Sequence, residues 1–423
     1  MDGVRALSRR GAAVAIAVSV LILAAALMPN DRLDAVDRSA ASRVLAPPAP
    51  LTPAPARLAP ADDARIDGVD VPDPLVLDSG DPVDTVQEWE QQRRPELVAA
   101  FEENVYGTSL PLPEDIAFDE NGEGRARTTT VTVTGPEGTA SFTVRLFLPE
   151  GTPKGTFLLI DHRGSVGDDA GSSSGYAPVS TILDAGYAFA ALDAGEVAPD
   201  DPGSYRDGVI NAFYPAGTDL PEDAGRTISA WAWGASRALD YLETVPGIEA
   251  AGVAVIGHSR GGKAALWAGA QDTRFPVVIS NNSGSTGAKL ARRDGAGESL
   301  AAINEQFPHW FPETYKAYND DPDSLPVDQH QLLALIAPGR VVIGSASDDG
   351  NADPQGEHMS YLGAAPVYEL YGLSDTGLAT QSWPPTTDRA FRGPGMSYHL
   401  RSGGHGLQDT DWNIYLEGDL FRR

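Results

Sequence analysis

The chain has 423 residues, 42% of them apolar, with 12 Phe, 7 Trp and 13 Tyr, enough to bury a core and to exclude global disorder or a fibrous repeat. Its 59 Asp and Glu outnumber its 31 Lys and Arg for a net charge of −28, and no basic run interrupts that acidic surface, which argues against a nucleic-acid binder. Cysteine is absent, so disulfides, thiolate metal sites and a Cys nucleophile are excluded together.

Arg5, Arg9 and Arg10 precede an uncharged apolar stretch from Gly11 to Met28. That pattern predicts an export signal over residues 1–30, with Ala24-Ala25-Ala26 as a weak cleavage site. Its length also approaches the ~20 residues of a bilayer span, so a retained anchor is the alternative. Either way the body is expected outside the cytoplasm, secreted or at the cell surface. Residues 31–75 are rich in Pro and Ala and read as an extended linker.

Residues 76–423 read as one catalytic domain. Thr85 to Tyr106 has helical spacing through Trp89, Leu97, Ala100, Phe101 and Val105. Thr128 to Val133 and Ser141 to Leu148 alternate with period two around the turn Gly135-Pro136-Glu137-Gly138, predicting a hairpin. Short unbroken apolar runs follow at Phe157–Ile160, Tyr187–Leu192, Val253–Ile256, Val277–Ser280, Val341–Gly344 and Val367–Tyr371, with helical segments at Thr227–Thr244 and Arg260–Ala270. Strands covered by helices on both faces have this texture. The alternation predicts a doubly wound, mostly parallel α/β fold opened by an antiparallel hairpin.

Gly257-His258-Ser259-Arg260-Gly261 follows one of these strands directly and opens a helix. A sharp strand-to-helix turn strains its central Ser, admits only small neighbours and exposes Oγ at the carboxyl edge of the sheet. Ser259 is therefore the nucleophile candidate. A serine needs a base, and on this fold the partners follow in the order Ser, acid, His. His258 lies inside the turn and is expected to point away from the hydroxyl. His162, His309 and His330 come too early. His405, in Ser402-Gly403-Gly404-His405-Gly406, sits on a glycine-rich loop past the last strand, whereas Tyr398-His399-Leu400 reads as strand and leaves His399 second. The loop after Val341–Gly344 offers Asp348, Asp349 and Asp353 as the acid, and spacing does not choose among them.

The segment Gly257-His258-Ser259-Arg260-Gly261-Gly262-Lys263 resembles the G-x-S-R-x-G-K elbow of the glucuronoyl esterases, carbohydrate esterase family 15. The likeness extends through Ala230-Trp231-Ala232-Trp233-Gly234, Ser280-Asn281-Asn282-Ser283-Gly284, Phe307-Pro308-His309-Trp310-Phe311 and Gly404-His405, covering about residues 70–423. It implies an α/β-hydrolase fold with Ser259 as nucleophile, His405 as base, Arg260 at the oxyanion, and Lys263 and Glu298 on hydroxyls of a uronic acid. Lys263 lies four residues after Ser259 and so shares its helix face. Members carry the acid at one of two positions. Asn282 occupies the first, where others have Glu, which points to the loop of Asp349, with Asp348 second. Asn351 stands where many members have a Trp that packs on the sugar.

The expected activity is an exported serine esterase, monomeric and without cofactor or metal, cleaving esters of (4-O-methyl-)glucuronic acid such as those joining glucuronoxylan to lignin alcohols. Residues 11–28 would be its only membrane contact. A carbohydrate esterase of other specificity, for acetyl or other uronate esters, is the alternative kept open by Asn351. A non-catalytic glycan-binding relative is a third.

Overall fold

The computed structural model describes residues 64–122, 124–293, 295–378 and 382–421. The expected signal segment, and most of the expected linker, lie outside the described residues. The linker's last dozen residues are folded: β1 (Ala64–Ile66) and β2 (Val69–Val71) pair antiparallel. Val71 packs with Leu290 and Met359, with Ile66 and Val69 against them. Here the alternating apolar side chains of the two short strands find an apolar surface to cover them.

The helix expected over 85–106 is present over 86–106, alternating α and π turns, with Trp89, Leu97, Phe101 and Val105 buried. Thr85 starts it with a capping box: its side chain accepts from Glu88 N while Glu88 reaches back to the Thr85 backbone.

Ten strands form the main sheet. β3 (Asp115–Asn121), β4 (Ala126–Gly135) and β5 (Gly138–Phe147) are the antiparallel opening, longer than the predicted hairpin but in the predicted place. The central strands are β6 (Thr156–Asp161), β7 (Ala188–Asp193), β8 (Val253–His258), β9 (Val277–Asn281) and β10 (Arg340–Ala346). β11 (Ala390–Arg392) and β12 (Met396–Arg401) finish the sheet, whose order is β11-β12-β10-β9-β8-β6-β7-β5-β4-β3. From β7 to β12 the neighbours among β6, β7, β8, β9, β10 and β12 are parallel, so all these strands end at one edge.

Period-two geometry splits each of the central strands β6 to β10 between two cores. In β6, Leu158 and Ile160 join the cluster under the helix α1 (Thr227–Leu242), while Phe157 and Leu159 face the opposite cluster with Trp412. Every residue of β6 is buried, whereas β4 alternates buried and half-buried positions because only one of its faces is fully covered. That contrast is why the parallel strands read as unbroken apolar runs.

One expected strand is corrected. Val367–Tyr371 is not a strand but the end of the helix Pro354–Leu370 and its C-cap. Val367 and Tyr368 are buried while Glu369 between them and Leu370 is exposed, and five residues are too few to tell the end of a helix from a strand.

Candidate active site

Ser259 sits between β8 and the helix α2 (Arg260–Gln271), at φ 55° and ψ −126°. A side-chain-bearing residue rarely holds this conformation, and the surroundings enforce it. Ser259 N donates to Asn281 O at 2.9 Å, and Ser259 O accepts Gly262 N at 2.8 Å. Gly257 is required: a Cβ there would lie 1.9 Å from Gly261 O.

His405 reaches the same cavity from the loop after β12. Its Nδ1 lies 2.6 Å from Asp349 Oδ2, so the proton between them is held on Nδ1 and Nε2 is left as an acceptor. The His405 side chain is 43% exposed, Asp349 only 3%. Ser259 Oγ and His405 both line the cavity without a hydrogen bond between them, a contact that in free enzymes often closes only around substrate.

The three candidate acids have separate fates. Asp349 is buried in the loop after β10 and receives Asn282 Nδ2 at 3.2 Å and Ala352 N at 3.3 Å. Burial pushes its carboxyl up, but the hydrogen bond and charge of His405 and these two donors outweigh it and hold it below its usual value. Asp348 is exposed and, among the described residues, its carboxylate accepts only Ser347 Oγ. Asp353 caps the helix Pro354–Leu370 through Gly356 N and pairs with Arg293. His399 is buried with Nε2 on Asp411 at 2.8 Å, away from the cavity lining.

Arg260, Lys263, Glu298 and Asn351 all line the cavity of about 330 Å³. Arg260 pairs with Asp200 and lies over the Trp310 ring, 4.6 Å from its centroid. Lys263 is buried and donates to the carbonyls of Ser283, at 2.6 Å, and Ser285. Burial pulls its ammonium down to about 8, with Glu298 and Glu357 opposing the shift. Glu298 and Asn351 stand at the rim, joined by a 2.9 Å bond from Glu298 N to Asn351 O.

Sequence reasoning missed several members of this site. Gln306, Phe307 and Trp310 wall the cavity; the two aromatics fall within the segment Phe307–Phe311 that carries the family resemblance, and Gln306 has no signal in the sequence. Asp200 comes from an acidic loop after β7, where nothing in Pro199-Asp200-Asp201-Pro202 separates it from its neighbour. His258, whose side chain the sequence directs away from the Ser259 hydroxyl, is absent from the cavity lining. Its ring lies 4.5 Å from that of His405 with Nδ1 on Asn281 Oδ1 at 2.8 Å, and burial, aided by His405, lowers it to about 3. Among the described residues no group of three or more His, Asp or Glu side chains is placed to hold a metal.

A strand-to-helix elbow, a parallel sheet and loops converging on its carboxyl edge define an α/β hydrolase. The family model for glucuronyl esterase, fungi, matches residues 131–372. The structure is similar to the glucuronoyl esterase from Solibacter usitatus, at 35% identity and a TM-score of 0.74, covering 84% of this chain and 99% of that one. It is similar to a promiscuous CE15 esterase from the marine bacterial metagenome, at 32% identity and a TM-score of 0.72, covering 86% and 99% of the two chains. A 4-O-methyl-glucuronoyl methylesterase of Phanerochaete carnosa is 29% identical over 72% of this chain and 73% of its own. The chain belongs to the glucuronoyl esterases, carbohydrate esterase family 15, and is a carboxylic ester hydrolase acting on glucuronate esters.

Proposed function

We propose that this chain is an exported, monomeric serine esterase that releases (4-O-methyl-)glucuronic acid from its ester linkages to lignin alcohols in glucuronoxylan, through Ser259, His405 and Asp349. The observation that carries the reading is the 2.6 Å contact of His405 Nδ1 with Asp349 Oδ2 in the cavity that also exposes Ser259. Ser259 Oγ attacks the C6 carbonyl as His405 Nε2 takes its proton. Asp349 orients the ring and stabilises it as imidazolium. The oxyanion meets the Arg260 N–H at the first turn of α2, which has no intrahelical partner, and the Arg260 guanidinium. Collapse breaks the ester C–O bond and His405 returns the proton to the leaving alcohol. Water, activated by the same base, then attacks the acyl-enzyme to free the uronate and Ser259. Lys263 and Glu298 bind sugar hydroxyls, and Asn351 is the rim residue on the sugar side. No cofactor takes part.

A second reading is a wider carbohydrate esterase specificity. Asn351 favours it, because a small polar side chain at the rim offers no ring for the sugar to pack on, and one of the similar structures is described as promiscuous.

Hydrolysis of benzyl glucuronate by the full-length chain, beside Ser259→Ala and a short-chain acetate ester, separates the two. Ser259-dependent turnover of the glucuronate with little on acetate supports the first. Comparable turnover of both supports the second, and glucuronate turnover by Ser259→Ala would sink the nucleophile assignment.

A further inference from the structure

We infer that Asp200 is a positioning residue of the esterase reaction, fixing the Arg260 guanidinium where the oxyanion forms. The inference rests on the role proposed above for Arg260. An arginine at the rim of an open cavity has many rotamers, and the entropy of ordering it is lost at each turnover unless the protein restrains it beforehand. Arg260 is 29% exposed, so packing alone does not hold it.

Asp200 restrains it in two ways. Its Oδ2 accepts Arg260 Nη1 directly. Its Oδ1 accepts Trp310 Nε1 at 2.7 Å and His309 Nε2 at 2.9 Å. The indole so fixed is the surface on which the guanidinium lies, and it stacks in turn on Phe307 with ring centroids 3.7 Å apart. One carboxylate therefore sets both the guanidinium and the ring beneath it. Burial pushes the Asp200 carboxyl up, but His309, Trp310 and Arg260 together hold it well below the usual carboxylate range, so it stays charged.

The pairing leaves Arg260 donors free. Among the described residues Nε and Nη2 have no hydrogen-bond partner, and Nε is buried. A partly exposed ion pair contributes little to stability, which is a weak reason for three donors to converge on one loop carboxylate. A guanidinium held by one N–H with others unspent is what a preorganised donor to a developing anion requires.

The test is a double-mutant cycle on the full-length chain with benzyl glucuronate. Asp200→Asn is expected to lower kcat roughly 10- to 100-fold with KM changed less than about threefold, because the lost geometry matters most in the transition state. In the Arg260→Ala background the same substitution should cost less than about twofold, since Asp200 acts through the removed side chain. If the two losses multiply, or Asp200→Asn leaves kcat intact while Arg260→Ala lowers it, the proposal is overturned and the reading of the site stands. If Arg260→Ala is itself silent while Ser259→Ala is inactive, the oxyanion role of Arg260 fails and the proposal falls with it. Should Asp200→Asn not fold, Asp200→Glu serves the same cycle by moving the carboxylate one methylene, and additivity with Arg260→Ala overturns the proposal equally.

Discussion

Arg401 holds His405 without touching it. Its Nη2 donates to Gly404 O at 2.8 Å and Gly406 O at 2.9 Å, the carbonyls on either side of His405, and its Nη1 donates to Ser402 O. The guanidinium is in turn fixed by Asp411 at 2.9 Å, in a pair that is almost wholly buried. A loop with three glycines in five residues has little rigidity of its own, and this clamp supplies it.

Replacing Arg401 by Lys keeps the charge but loses the planar fork that spans several carbonyls. We expect kcat to fall roughly tenfold or more as the base loosens, since misplacement by an ångström can cost ~100-fold. Steady-state kinetics with circular dichroism on the same sample checks this. A folded variant with unchanged kcat would show that the loop holds its own shape.

The acid loop gives a paired prediction. Asp349→Asn should reduce kcat by roughly 100- to 10,000-fold, because the carboxylate that fixes the His405 tautomer is gone. Asp348→Asn, on an exposed neighbour, should stay within about twofold. The reverse ranking in kcat/KM would move the acid assignment to Asp348.

Asn351→Trp should restore an apolar face at the rim. A sugar packing on it gains about 1 kcal/mol, roughly fivefold in KM for the glucuronate ester, with little change for an acetate ester that lacks the ring. Equal changes for both substrates would count against a sugar-side location of Asn351.

Glu357 predicts a pH signature in stability. It is fully buried, accepts Gly284 N at 2.9 Å and Ser345 Oγ at 2.6 Å, and burial raises it to about 7. An acid raised in the folded state binds more protons there than in the unfolded chain. Its contribution is therefore complete below its ordinary value near 4.5 and is lost as pH rises toward about 7, at up to ~1.4 kcal/mol per pH unit. Glu357→Gln should flatten stability between about pH 5 and 7 in urea titrations, and an unchanged slope would place the titration elsewhere.

Much of this could be read from the chain itself. The unbroken runs of β6 to β10 and the alternation of β4 and β5 report how many faces of each strand are buried. The elbow is legible because Gly257 has no room for a Cβ. Val367–Tyr371 was not legible, since a run of five residues is too short to show a helical period. The choice among Asp348, Asp349 and Asp353 needed the turn of one loop, which local spacing does not encode. Asp200 was invisible because it lies about sixty residues from Arg260 in sequence, and only the parallel order of β7, β6 and β8 brings them together.

That order ties the chemistry to the whole carboxyl edge. The cavity gathers residues from the segments after β8, β9, β10 and β12, and the base His405 comes from the segment that follows β12. A chain that lacks β12 and the segment after it owns no base to activate Ser259. Turnover is thus a readout of the assembled sheet from β8 through β12, because nucleophile, acid and base each hang on a different strand of it.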